Sequence, residues 1–207
     1  MHVYEESNLF GAADVELSYT AVYTCVPGNV GELKYIYSIN SNSILQVHRN
    51  TPPIASYRDT IIEALEQSQV LVLSGETGCG KSTQLPTFLL EDQLSRGKPC
   101  KIYCTEPRRI SAISLAHRGS RELGEGPNAV GTLNSLAGHS TRLESNTTKN
   151  TRLAFVTNGI ALRMLEGGSG QGGQGTAFDE VHERSIESDF LLIVLKCKIA
   201  NDGGTLA

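Results

Sequence analysis

The chain has 207 residues, 39% of them hydrophobic, enough for one packed α/β domain plus a modest extra segment. Lysine and arginine number 18 against 22 aspartates and glutamates, so there is no overall basic excess, and any binding of nucleic acid must be local. The five cysteines form an odd set without a CxxC pair, which indicates reduced thiols rather than a disulfide framework or a zinc site. No apolar run approaches the ~18 residues that cross a bilayer, so we expect an intracellular protein without membrane contact. Of the intracellular compartments, we expect the cytoplasm rather than the nucleus.

The first 50 residues read as a leader. Residues 15–26 and 33–39 partly alternate apolar and polar side chains around Pro27-Gly28-Asn29, which predicts a β-hairpin. Pro52-Pro53 stops any helix from running through, so we place a boundary near residue 50, with a leader at 1–50 and the main domain at 51–207.

Helical spacing and short apolar runs alternate through the main domain. Helices are predicted over 56–67, 83–91, 110–123 and 158–166, and strands over 70–73, 102–104, 153–156 and 190–195. This alternation predicts an α/β fold with a doubly wound parallel sheet. Six of the nine residues from 167 to 175 are glycine, which predicts a flexible loop without a strand or helix of its own.

A phosphate-binding loop stands between the predicted strand at 70–73 and the predicted helix at 83–91. Gly75–Ser82 reads GETGCGKS and fits GxxxxGK[ST], a spacing that lets successive N–H groups and a helix N-terminus surround phosphate oxygens. Lys81 would reach the β and γ phosphates, and the Ser82 hydroxyl would ligate Mg²⁺. The predicted nucleotide-binding residues of the loop are Gly75, Glu76, Thr77, Gly78, Cys79, Gly80, Lys81, Ser82 and Thr83.

Four further strings follow the loop in a specific order. They are TEPRR (105–109), Arg118 in LAHRGSREL, TNG (157–159) and DEVHERS (179–185). Together with GETGCGKSTQ they resemble the motifs of DEAH-box RNA helicases over about residues 52–198. The resemblance implies the first RecA-like motor domain of such an enzyme, a P-loop NTPase that uses ATP and Mg²⁺ and moves on single-stranded RNA.

The resemblance assigns roles to the residues of these strings. It implies that Arg118 stacks on adenine and that the RNA backbone is held by Arg108, Arg109, Thr157, Asn158 and Gly159. It also implies that Asp179 binds Mg²⁺ and Glu180 orients the attacking water, which makes Lys81, Asp179 and Glu180 the catalytic set and Ser82 and Asp179 the metal ligands.

Each string also has a plainer interpretation. Thr157 could be only the N-cap of the next helix, and Arg118 an ordinary surface arginine. Arg108 and Arg109 could be a solvated pair, although two positive charges oppose the dipole of a helix that begins there by up to ~1 kcal/mol each. DEVHERS could be a charged helix start.

Two departures from the family pattern stand out. An apolar strand should precede Asp179, but the sequence there is GGSGQGGQGTAF, so we expect that strand to be missing through an internal deletion, which puts folding in doubt. A second motor domain, which closes over ATP in such helicases, is not found in the chain.

Three functions remain open. The first is the nucleotide-binding half of an ATP-dependent RNA helicase, a nucleoside-triphosphatase. The second is a catalytically inactive nucleotide- or RNA-binding module. The third, a P-loop kinase with a small acceptor, lacks an evident arginine-rich lid.

Overall fold

The structure is a computed structural model that describes residues 2–4, 20–22, 51–68, 70–98, 100–166, 174–178 and 184–201. The strands in these segments are β1 (His2–Tyr4), β2 (Thr20–Val22), β3 (Val70–Ser74), β4 (Lys101–Glu106), β5 (Ala137–Ser140), β6 (Ser145–Asn146), β7 (Leu153–Thr157) and β8 (Gln174–Phe178). The helices are α1 (Arg58–Gln67), α2 (Lys81–Ser95), α3 (Arg109–Glu122), α4 (Asn158–Glu166) and α5 (Ile186–Asn201), and a 3₁₀ turn at Pro53–Tyr57 leads into α1.

The strands form one sheet in the order β1-β3-β2-β8-β4-β7-β5-β6. β4 pairs in parallel with β7 and with β8, and β5 pairs in parallel with β7. β2 is antiparallel to both β3 and β8, so β3 runs in the same direction as β8. Five strands therefore point the same way, and the mostly parallel α/β sheet predicted from the sequence is confirmed.

Helices cover both faces of the sheet. Along β7, Leu153 and Phe155 belong to one buried cluster, while Ala154 and Val156 belong to the other. The first cluster includes side chains of α1, α2 and α3, and the second includes side chains of α4 and α5. Because successive strand residues face opposite sides, this alternation is what a doubly wound sheet requires.

The expectation that no strand precedes Asp179 is wrong. β8 is a strand whose first two residues, Gln174 and Gly175, come from the predicted glycine-rich loop, and it pairs with β4 in register, Cys104 opposite Ala177 and Thr105 opposite Phe178. Ladder hydrogen bonds come from the backbone, and β4 on one side and β2 on the other supply them. Glycine makes a strand weaker by about 0.5–1 kcal/mol but does not forbid it.

The predicted strand at 190–195 is also wrong, because these residues lie inside helix α5. A six-residue apolar run cannot distinguish a buried strand from a buried helix. The residues at the start of this run favour a helix. Glu187 and Asp189 lie in the first turn, where their negative charges interact favourably with the helix dipole, and the Ser188 N–H donates to the Ser185 hydroxyl at 3.1 Å.

Strand β5 has no apolar signature and was not predicted. Its sequence is AGHS, and all four residues are buried. Gly138 allows this strand to lie close to its neighbours: a Cβ built on it would come within 2.6 Å of the Asn146 carbonyl oxygen and 3.0 Å of Thr151 Cγ2. Close backbone approach, rather than hydrophobicity, places this strand in the sheet.

Within the leader, the structure describes two short strands. β1 and β2 pair antiparallel with opposite sides of β3, His2 opposite Ser74 and Thr20 opposite Val72. The second strand of the predicted hairpin, at 33–39, lies outside the described residues. The domain boundary near residue 50 stays a prediction.

Four of the cysteines lie in the described segments. Cys79, Cys100 and Cys104 are buried, Cys197 is exposed, and none of these four described cysteines is in a disulfide. Cys25 lies outside the described residues. Among the helices of the described segments, none has the length and apolar character that a bilayer span needs.

Replacing Gly138 with alanine tests the close approach at β5. We expect Gly138→Ala to lower the free energy of unfolding by about 1–3 kcal/mol, because the added methyl group meets a backbone oxygen that cannot move aside cheaply. Urea unfolding followed by circular dichroism measures this. Gly126→Ala is the matched control, since a Cβ there meets nothing within 4 Å; equal stability of the two variants would contradict the packing at Gly138.

Candidate functional site

The strands that lead into the predicted site residues end at one edge of the sheet. β3 ends at Ser74 directly before the glycine loop, β4 ends at Glu106 before the arginines, and β7 ends at Thr157. β8 ends at Phe178, and Asp179 is the next residue in the sequence. Because these strands run in the same direction, their carboxyl ends meet at the same edge, where open α/β sheets bind ligands.

The loop backbone has the shape that close approach to an anion requires. Gly78 and Gly80 have φ angles of 82° and 99°, in the left-handed region that side chains rarely adopt. A Cβ on Gly80 would lie 2.8 Å from Pro52 Cβ and 3.0 Å from Ile54 Cγ2, so only glycine fits. Gly80 is also the N-cap of α2 and provides no side-chain cap for the helix, and an N-terminus of this kind is typical of anion-binding sites.

Lys81 is buried and folds back onto its own loop. Its Nζ donates to the Gly75 carbonyl, to the Glu76 carbonyl at 2.7 Å and to Cys79 Sγ at 3.3 Å. A buried ammonium needs such partners because desolvation without them is costly. The ammonium therefore lies inside the loop, among groups that a phosphate would replace.

The residues that follow Lys81 fit a magnesium ion better than a zinc ion. Ser82 and Thr83, in the first turn of α2, are partly exposed and bring hydroxyl oxygens, the ligand type that Mg²⁺ prefers while keeping several waters. In the part of the chain that the structure describes, no group of three His, Cys, Asp or Glu side chains could hold a metal ion. Asp179, Glu180 and His182 lie outside the described residues, so their positions stay predictions.

Arg118 is linked to the phosphate loop through two side chains. Its Nε donates to Oε1 of Glu122 at 2.9 Å, and Oε2 of the same carboxylate accepts from Nε2 of Gln84 at 2.9 Å. Gln84 lies in the first turn of α2, and its backbone N–H donates to the Gly80 carbonyl at 2.7 Å. The structure therefore brings Arg118 near the loop, as its predicted role requires.

Arg108 and Arg109 lie at the start of α3. Arg108 is the extended N-cap residue, Arg109 is the first helical residue, and both are exposed. α3 has no acidic residue in its first turn, and Arg109 Nη2 lies 3.8 Å from the exposed Glu144 carboxylate. An exposed pair at this distance contributes little, so the guanidinium can exchange its partner for another anion.

The TNG turn divides into exposed and buried parts. Thr157 is partly exposed and precedes the first residue of α4, which is the N-cap position. Asn158 is buried, and its Nδ2 donates to Ser188 Oγ at 2.9 Å. Its side chain therefore anchors the turn against α5. The RNA contact predicted for Asn158 would have to come from its backbone N–H group. Gly159 is partly exposed, and a Cβ there would come within 3.6 Å of Glu187 Oε1.

His139, at the end of β5, is fully buried beneath this edge. Its Nε2 lies 3.2 Å from Asn146 Nδ2, while Nδ1 has no hydrogen-bond partner among the described residues. Burial lowers the pKa of His139 below its ordinary value; Glu144 opposes the shift, and His117 and Arg109 add to it. The ring is therefore neutral in the folded protein at pH 7.

The shifted pKa of His139 makes stability depend on pH. Because the unfolded chain takes up a proton near pH 6.5 that the folded ring resists, the free energy of unfolding should fall below about pH 6.5, by up to about 1.4 kcal/mol per pH unit. In His139→Gln this part of the slope should disappear. Urea unfolding at pH 7.5, 6.5 and 5.5 measures it, and His117→Gln should reduce the slope only in part, because His117 adds to the shift without causing most of it; identical slopes in wild type and His139→Gln would contradict the assignment.

Three residues of the site were not predicted from the sequence: Gln84, Glu122 and Ser188. Glu122 stands four residues after Arg118, a spacing that places both on one face of a helix and could have identified the pair. Gln84 and Ser188 bond to residues 38 and 30 positions away, and such long-range contacts leave no local pattern in the sequence.

Comparison with known proteins gives the chain its relatives. Human ATP-dependent RNA helicase DHX29 is 50% identical over 152 residues, which is 72% of this chain and 11% of that protein. A human protein named putative ATP-dependent RNA helicase DHX57 is 50% identical over 158 residues, covering 74% of this chain and 11% of that protein. DExH-box ATP-dependent RNA helicase DExH1 of Arabidopsis thaliana is 44% identical over 155 residues, covering 73% and 15%.

These relatives are much longer than the chain, which spans between 11% and 15% of their length. No protein-family model matches the sequence. The identities nevertheless extend over most of this chain. The matched region of the chain therefore belongs to the family of DExH/DEAH-box ATP-dependent RNA helicases.

Proposed function

We propose that the chain is the nucleotide-binding part of an ATP-dependent RNA helicase of the DExH type, which hydrolyses ATP with Mg²⁺ to move on RNA. One observation carries the proposal: the glycine loop, with Lys81 inside it, lies at the same sheet edge as the arginines that open α3. ATP on one side of this edge and RNA on the other would then be connected through the ends of neighbouring strands.

In the nucleotide site, the chain's own groups bind and orient the phosphates. The N–H groups at the start of α2 would hold phosphate oxygens, and Lys81 would leave the loop carbonyls to neutralise the outer phosphates. When bound, Mg²⁺ supplies charge neutralisation and a template for in-line attack, held by Ser82 and, through water, by Asp179. Glu180 would orient the attacking water and accept its proton.

The order of the strands leaves room for this arrangement. β2 lies between β3 and β8, so the ends of β3 and β8 are two strand spacings apart, or about 10 Å. A triphosphate and a hydrated cation could fill this space between the loop and the acidic residues that follow β8. This spacing supports the proposal that Asp179 and Glu180, which follow β8 in the sequence, serve the same site.

The RNA side of the proposal uses backbone contacts. Arg108 and Arg109 would bind phosphates, and the backbone N–H groups at the start of α4, after Thr157, would bind another. Such contacts do not distinguish bases, which suits a motor that steps along any strand. Unwinding and coupling to a second motor domain are proposed for the whole protein, as the names of its longer relatives suggest.

Lys81→Ala tests the nucleotide site. We expect its affinity for Mg·ATP to fall by about 10- to 100-fold, because one charge-assisted hydrogen bond to phosphate is worth about 1.5–3 kcal/mol. Titration with a fluorescent ATP analogue measures the dissociation constant, and hydrolysis is followed separately by phosphate release in the presence of single-stranded RNA.

Lys98→Ala is the matched control, since Lys98 is exposed in the turn after α2, at the end remote from the loop. Its affinity for ATP should equal that of the wild type. Equal binding by both lysine variants would refute the site, whereas binding without hydrolysis would indicate an inactive nucleotide-binding module.

The double variant Arg108→Ala/Arg109→Ala tests the RNA surface. Affinity for single-stranded RNA should fall on every sequence alike, and the slope of log K against log[salt] should become shallower by about 0.7 for each phosphate that the variant no longer binds. Fluorescence anisotropy with labelled oligonucleotides at several salt concentrations measures both. Arg163→Ala, an exposed arginine near the other end of α4, should change neither; a double variant with wild-type slope would contradict the assignment.

A further inference from the structure

Glu122 is a buried carboxylate with two donors from different helices. The residue is 8% exposed, and each carboxylate oxygen accepts one hydrogen bond at 2.9 Å, from Arg118 Nε and from Gln84 Nε2. Only a carboxylate can accept from both donors at once, since an amide at this position has one oxygen and would direct its NH₂ at a donor. An ionised carboxylate at Glu122 is therefore needed to satisfy both donors.

The three side chains form a chain of contacts from the phosphate loop outward. Gln84 is almost fully buried under the loop, where its Cγ lies 3.3 Å from the position of a Cβ on Gly80. Arg118, at the other end, has a side chain that is 57% exposed. One edge of its guanidinium is thus held by Glu122, while much of the group stays open to solvent.

We propose that Glu122 is a positioning residue for recognition of the nucleoside part of the ligand. By fixing Arg118 Nε, it would hold the guanidinium plane still, so that its open face can stack on a purine base while the loop holds the phosphates. The hydrogen bond from Gln84 fixes the distance between this carboxylate and the loop, and therefore the distance between the base contact and the phosphate contact. The inference rests on the proposed function, because it assumes that a nucleotide occupies the loop.

A purely structural role for Glu122 makes a different prediction. If the carboxylate only joined α2 to α3, its removal would disturb every ligand of the loop and the fold alike. If it positions Arg118, its removal should weaken only ligands that carry a base. Inorganic tripolyphosphate, which has the phosphates without the nucleoside, separates the two cases.

The experiment compares Mg·ATP with Mg·tripolyphosphate by calorimetry on the full chain and four variants: Glu122→Gln, Arg118→Ala, the double variant and Glu91→Gln. Glu91 is the matched control, a buried carboxylate of α2 that pairs with Arg58 at 3.3 Å. ATP affinity should fall several-fold, up to about 30-fold, in Glu122→Gln and in Arg118→Ala. Tripolyphosphate affinity should stay within about twofold of wild type in both, and Glu91→Gln should change neither ligand.

The double variant tests whether the two residues act together. Its ATP affinity should be no lower than that of Arg118→Ala alone, because a positioning residue has nothing left to position. If Glu122→Gln fails to fold, Glu122→Asp replaces it: the charge stays, but the shorter side chain cannot reach both donors, and the same selective weakening of ATP binding is expected.

The outcomes separate the inference from the proposed function. Equal weakening of ATP and tripolyphosphate in Glu122→Gln, additive effects in the double variant, or ATP affinity unchanged in Arg118→Ala would overturn the positioning role. Lys81→Ala measured with the same two ligands is the reference: if it weakens neither, the nucleotide site itself is wrong. If it weakens both while Glu122→Gln weakens neither, only the inference about Glu122 fails.

Discussion

The hydrogen-bond ladder that makes five strands run in one direction is the constraint on which the site depends. It brings the residue after each strand to one edge, so groups far apart in sequence, from Gly75 to Asn158, become neighbours there. Two clusters of side chains on opposite faces hold the ladder between α1–α3 and α4–α5. The position of the site therefore follows from the direction of the strands. The side chains at this edge are not needed to hold the strands together and can contact ligands instead.

Buried charge at this edge is balanced locally. The Lys81 ammonium has carbonyl acceptors from its own loop, and the Glu122 carboxylate has a donor on each oxygen. The His139 ring, in contrast, is neutral, and its Nδ1 has no hydrogen-bond partner in the described part of the chain. Lys81 and Glu122 therefore keep their charges inside the domain because each has hydrogen-bond partners, whereas burial keeps His139 neutral.

The sequence predicted helices α1–α4 and the parallel strands β3, β4 and β7, because amphipathic spacing and apolar runs reflect burial directly. It took part of α5 for a strand, because a short apolar run fits either a buried strand or a buried helix. It missed β8 and β5, whose places in the sheet do not come from apolar runs. β8 is a strand because its neighbours offer a ladder, and β5 because Gly138 permits close approach. The glycine loop between β3 and α2 was identifiable because its backbone geometry is local, whereas the contacts of Gln84 and Ser188 join segments that are distant in the sequence.

The Lys81 ammonium is already hydrogen-bonded to carbonyls of its own loop, so a ligand that binds it would have to replace those hydrogen bonds. In the proposed site, a phosphate would have to attract the Lys81 ammonium at least as strongly as the two loop carbonyls that it displaces, so a high negative charge would favour entry. A polyanion would offset that cost by also interacting with the N–H groups at the start of α2. The hydrogen bonds between Lys81 and its own loop would thus select ligands by their charge.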